Sequence, residues 1–124
     1  MRQFCLVNLS NHPHNGWGSA QRQAAFRLVD RIEDLAFPAV PPKASEDDVA
    51  ALADACLATV PPGATHALVQ GEFTLTFELV RRLQDRGIIC LASAHKREEE
   101  GAADAARSSA FQFVRFRRYL PISS

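Results

Sequence analysis

Residues 88–94, IICLASA, are apolar at almost every position, with Gly87 before them and a charged stretch after them. A strand that is uniformly apolar, rather than alternating, needs cover on both faces, and parallel sheets flanked by helices provide it. FCLVNL (4–9) and THALVQG (65–71) read in the same way, and IEDLAFP (32–38) reads as a weaker strand ending at Pro38. The segments between them have helical spacing. Ser19 is the expected cap of AQRQAAFRLVDRI, whose Ala24, Ala25, Leu28, Val29 and Ile32 share a face. Ser45 is expected to cap the next helix, with Glu46, Asp47 and Asp48 in its first turn and Val49, Leu52, Ala53, Cys56 and Leu57 as its buried stripe. Pro61, Pro62 and Gly63 end it. EFTLTFELVRRLQDRG (72–87) is the third helix, closed by Gly87. Residues 95–108 read as an exposed polar excursion, and SAFQFVRFRRYL (109–120) alternates enough to form a last strand, antiparallel at a sheet edge.

The order is β-α-β-α-β-α-β-loop-β. It predicts an α/β fold: a single Rossmann-like domain over 1–124, with an open, mainly parallel sheet of about five strands and helices on both faces. A chain of 124 residues is long enough for one core and too short for two.

Lysine plus arginine (14) balance aspartate plus glutamate (14), so no overall field draws the protein to duplex DNA or to a membrane. Charge is instead local: Glu98, Glu99 and Glu100 are followed by an acid-poor C-terminal stretch with Arg107, Arg115, Arg117 and Arg118, read as a charged edge or a contact between copies. The apolar run in MRQFCLVNL is too short for a signal-peptide core, and nothing approaches the roughly twenty apolar residues of a membrane span, so a cytoplasmic protein is expected. Cys5, Cys56 and Cys90 are odd in number, far apart and set among apolar residues. They read as small buried hydrophobes rather than disulfides or a zinc site.

In open parallel sheets, ligands sit outside the carboxyl ends of the strands. Three polar strings should therefore meet on one rim: NLSNHPHNGW (8–17), QGEFT after the third strand, and SAHKR after the fourth. The first holds two histidines, three asparagines, a serine and a tryptophan. Asn8, Ser10 and Asn11 can donate and accept, and His12 and His14 can bond phosphate or base edges or move a proton near neutral pH. Thr74 and the amides near Glu72 and Phe73 open a helix where an anion can bind, while Lys96 and Arg97 add positive charge. Each also has a plainer reading: His12 fixing a turn before Pro13, Trp17 capping the core, Glu72 complementing a helix dipole, and Lys96 and Arg97 in a solvated loop. There is no GxGxxG after the first strand and no GxxxxGK[ST], so neither a dinucleotide cofactor nor P-loop chemistry is expected. The two loop histidines lack an obvious third metal ligand, and Ser10 lacks a nucleophile-elbow context.

NLSNHP with its following tryptophan, HALVQGEFTLTFELV, GIICLASAHKR and FQFVRFRRY together resemble small accessory proteins of type III CRISPR systems. That group has a Rossmann-type fold related to the sensor domains that bind cyclic oligoadenylates, and some members are ring nucleases that cleave cyclic tetra-adenylate and end the antiviral response. The resemblance implies a homodimer, assembling further on ligand binding, whose two rims each take half of the ring. It implies no cofactor and no metal. The expected ligand-binding residues are Asn8, Ser10, Asn11, His14, Gly71, Glu72, Thr74, Ser93 and Arg97, with His12 for proton transfer and Lys96 for developing charge. A binder that sequesters or senses the messenger, a binder of an ordinary nucleotide, and a structural interaction module are the alternatives.

Overall fold

The computed structural model describes residues 3–97 and 111–122. Its elements are β1 (Cys5–Ser10), a 3-10 turn (His14–Gly16), α1 (Ser19–Leu28), β2 (Arg31–Ala36), α2 (Glu46–Leu57), β3 (His66–Val69), α3 (Phe73–Asp85), β4 (Ile89–Arg97) and β5 (Phe111–Arg118). They form one five-stranded sheet in the order β2-β1-β3-β4-β5, parallel except that β5 runs antiparallel to β4 at the edge. The expected fold class is the one observed. Among the described residues no helix is long and apolar enough to cross a membrane.

β1 is an interior strand, between β2 and β3, with all six residues buried, as a strand covered on both faces must be. Alternate side chains enter two cores. Val7, Leu9, Ala67, Val69 and Cys90 pack against α2 and α3, while Leu6, Leu68 and Leu91 pack with Ala25 of α1, Trp17 and Phe116. Two local devices fix the helices. Ser45 Oγ accepts from Asp48 N (3.1 Å) and Asp48 returns a bond to Ser45 N (3.0 Å), the reciprocal capping box of α2. Gly87, at φ +79°, lets the Ile88 and Gly87 amides turn back to the carbonyls of Leu83 and Gln84, which ends α3. Burial supplies the rest, at about 1.5–3 kcal/mol for each fully enclosed leucine such as Leu79.

Several boundaries differ from the sequence reading. Gly18, not Ser19, is the N-cap of α1, and no side chain closes that end. The helix stops at Leu28 because Asp30 pairs with the distant Phe4, its amide donating to Phe4 O (2.8 Å) and its carboxylate accepting from Phe4 N (2.9 Å). Val29 and Ile32 still join the α1-side core, but from beyond the helix. β4 continues through His95, Lys96 and Arg97, which were read as loop, because β5 pairs with them across a bulge at Ala94/His95. The remainder of the expected excursion, with Glu98, Glu99, Glu100, Gly101 and Arg107, lies outside the described residues.

Candidate functional site

The polar loop after β1 is first of all a self-bonded structure. Asn8 points to the α1 face and is 1% exposed. Its Nδ2 donates to the carbonyl of His12 (2.9 Å) and to Asp34 Oδ1 (2.8 Å), and its Oδ1 accepts from Ser10 Oγ (2.8 Å). Ser10 Oγ in turn accepts from His12 N (3.2 Å), and Trp17 Nε1 donates to the same His12 carbonyl (3.1 Å). Asp34, on neighbouring β2, accepts from His14 N (3.0 Å) and lies 3.0 Å from His14 Nδ1. The loop is thereby tied to two strands and to the first turn before α1.

Burial alone would raise the Asp34 carboxyl, but bonds from the Asn8 amide and from the His14 backbone and ring outweigh it and hold the group below the ordinary aspartate value. A depressed carboxyl stabilises the fold fully above the unfolded pKa of about 3.9, and that share is lost as pH falls through the lower folded value. Asp34→Asn is therefore expected to lower the thermal midpoint at pH 6–7, with the gap to the parent protein closing below about pH 4. A gap that does not change across a pH series of melts would show that the ionised carboxylate does not hold this loop.

Above the latch, a cleft of about 870 Å³ opens between the carboxyl ends of β1 and β3, where the chain connections diverge to opposite sides of the sheet. Ser10, Asn11 and His12 line it from the first loop, Gln70 and Gly71 from the end of β3, Ser93 and His95 from β4, and Gly18 and Gln21 from the start of α1. Trp17 forms part of the wall while 7% exposed, and Phe111 stands at the lip, 58% exposed, with the Arg97 guanidinium 5.4 Å from its ring centre. His95 meets the ring of Phe113 edge-on at 5.8 Å. Ser93 donates from N and from Oγ to Gln70 Oε1 (2.8 and 2.6 Å), which holds the Gln70 amide in one orientation. The His12 imidazole is exposed and makes no hydrogen bond to the described residues, although its own backbone is bonded at both N and O. Among the described residues the lining includes no lysine, arginine, aspartate or glutamate.

The expected rim is thus assembled in part. Ser10, Asn11, His12, Gly71 and Ser93 line the cleft. Asn8 lies beneath it with its amide committed to the latch, and His14 faces Asp34. Glu72 does not leave an open helix end for an anion: its carboxylate accepts from Leu75 N (2.7 Å) and from Thr74 Oγ1 (2.7 Å), and these bonds hold it below the usual glutamate value. Thr74 borders a separate groove between α2 and α3, with Phe73 and Phe77. Arg97 reaches the lip through Phe111, whereas Lys96, between His95 and Arg97 on the strand, points to the opposite face of the sheet. Gln21, Gln70, His95 and Phe111 were not singled out from sequence. Their only sequence signal is position, at the start of a helix or the end of a strand beside the rim.

All three cysteines are buried thiols, as expected. Burial pushes Cys90 up to about 12 and raises Cys5 and Cys56, so none is poised as a nucleophile. Among the described residues no three His, Cys, Asp or Glu side chains converge as a metal site.

Fold and site together define a small Rossmann-like α/β protein with a cleft at the switch point of its sheet that is amide-rich, aromatic-lipped and, among the described residues, uncharged. The model of the Uncharacterized protein MJ1673 family matches residues 4–117, and the chain belongs to that family. No curated protein and no solved structure matches it.

Proposed function

We propose that this protein binds cyclic oligoadenylate, most simply cyclic tetra-adenylate, and opens the ring, acting as an off-switch for type III CRISPR signalling. The observation that supports this best is the switch-point cleft itself, with a His12 imidazole that no described residue bonds, on a backbone hydrogen-bonded at both N and O. Its volume falls within the roughly 300–1,000 Å³ typical of small-molecule sites, enough for part of a ring, and two protomers about a two-fold axis share the four-fold messenger.

In the proposed reaction the ribose 2′-oxygen attacks the adjacent phosphorus in line. The bond from phosphorus to the 5′-oxygen breaks, leaving a 2′,3′-cyclic phosphate and a 5′-hydroxyl. The nucleophile comes from the substrate, so the protein's part is to position the ring and move protons. His12 takes the 2′-hydroxyl proton or supplies one to the leaving oxygen, and Asn11 and the uncapped α1 amides orient the phosphate, while Ser10, its hydroxyl committed to Asn8, holds the His12 backbone in place. Lys96, on the opposite face, has no part in this cleft. Phe111, backed by Arg97, offers a base a ring to stack on.

One observation favours a second reading. Among the described residues the lining lacks fixed charge to stabilise a transition state, which suits a protein that sequesters or senses the messenger without cutting it.

The experiment mixes excess protein with radiolabelled cyclic tetra-adenylate in EDTA and follows a native gel for binding and a denaturing gel for products. Linear products ending in 2′,3′-cyclic phosphate are expected. His12→Ala is expected to slow cleavage by about 10²–10⁴-fold while binding persists. A shifted but intact ring supports sequestration, and neither shift nor cleavage overturns the proposal.

A further inference from the structure

Gln21 occupies a place where packing alone does not account for a polar side chain. It lies in the first turn of α1, one turn before the wholly buried Ala25, and it faces the sheet. Only 7% of it is exposed, and it lines the cleft. Its amide has no hydrogen-bond partner among the described residues. The other buried polar side chains make the contrast. Asn8 and Ser10 are fully engaged in the latch, and Thr76, whose hydroxyl is also unpartnered, lines neither cleft. The Gln21 amide atoms are not themselves sealed, so a largely buried side chain opens its polar end to the cleft, where a bound molecule can complete it.

The chemistry of an amide narrows what that molecule is. Gln21 presents a donor and an acceptor side by side. A phosphate satisfies the N–H alone and sets negative oxygen against the amide carbonyl, with no lysine or arginine among the described lining residues to offset it. A heterocycle with an amino group beside a ring nitrogen satisfies both, as adenine does through N6 and N7. Gln70 adds a second element: with Oε1 taken twice by Ser93, its Nε2 is left as a fixed donor.

We infer that Gln21 is the specificity-determining residue of the cleft, reading the amino group and neighbouring ring nitrogen of an adenine. The inference rests on the adenylate reading given above. It assigns adenine selection to the neutral floor of the cleft.

The test measures equilibrium binding of two rings by rapid filtration before turnover: cyclic tetra-adenylate, and the same ring built on purine riboside, which lacks the 6-amino group. The unaltered protein is expected to prefer the adenine ring by about tenfold or more, the discrimination of one bidentate side chain. In Gln21→Leu both rings are expected to bind alike, and the thermal midpoint is expected not to fall, because leucine suits a lining shared with Trp17 and Leu68. Equal binding by the unaltered protein, or a preference that survives in Gln21→Leu, overturns the assignment of Gln21 and leaves the adenylate reading standing. A preference lost only together with a lowered midpoint marks Gln21 as structural and likewise overturns it. If the unaltered protein binds neither ring, the adenylate reading and this inference fall together.

Discussion

Asn8→Ala is expected to destabilise the protein by about 2–4 kcal/mol and to release the loop that carries His12. The size follows from what the single side chain holds. Three hydrogen bonds end on it, and the Asn8 end of each is shut off from water, since Asn8 is 1% exposed. Its loss removes one donor from Asp34, which keeps those of His14, leaves Ser10 Oγ only the longer bond to the His12 carbonyl (3.4 Å), and adds a small cavity beneath the cleft. Chemical denaturation reads the global loss. Hydrogen exchange across residues 10–17 separates it from the local one, where protection should fall further than in the central strands. An unchanged denaturation midpoint with an unchanged exchange pattern would refute the latch.

The second large effect is expected at Gly71. A Cβ placed there runs directly into the ring of Phe37. That ring cannot move aside freely, because Phe37 is 7% exposed and packed in the α2 and α3 core. Gly71→Ala is therefore expected to cost about 1–3 kcal/mol and to shift the Gln70–Gly71 wall of the cleft. A double-mutant cycle identifies the cause. With Phe37→Leu, which removes the ring, Gly71→Ala should be markedly less damaging than in the parent protein. Strict additivity of the two substitutions would place the cost elsewhere, in the backbone of the turn.

The fold was more legible than the site, for a physical reason. Strand and helix identity here rest on local patterns: IICLASA is apolar throughout, Ser45 and Asp48 stand at capping-box spacing, and Gly87 follows an amphipathic run. Each is a contact among near neighbours. The end of α1 was misjudged because it depends on Asp30 meeting Phe4, a pair that no local window contains. The polar end of β4 was misread because only β5, arriving later in the chain, makes strand of it. The location of the site followed from topology alone, through the rule that ligands gather at the carboxyl ends of parallel strands. Which side chains would be free there did not follow. Asn8 and His12 look alike in the string NLSNHP, yet one is tied to Asp34 on the adjacent strand and the other is left open. Gln21 and Gln70 resemble ordinary solvent-facing glutamines until the sheet closes over them.

The pairing of Asn8 with Asp34 has a bearing on how the sheet assembles. The two residues stand directly opposite each other on β1 and β2. A slip of one position would turn Asn8 away from the carboxylate and toward the face occupied by Val7 and Leu9, where an unpaired amide is heavily penalised. Apolar strands alone discriminate weakly between alignments, since one aliphatic side chain replaces another at little cost. A single polar pair makes the correct alignment distinct. Because the same pair ties down the His12 loop, a misaligned sheet cannot present a finished cleft, so fidelity in folding and competence at the site are enforced by one contact.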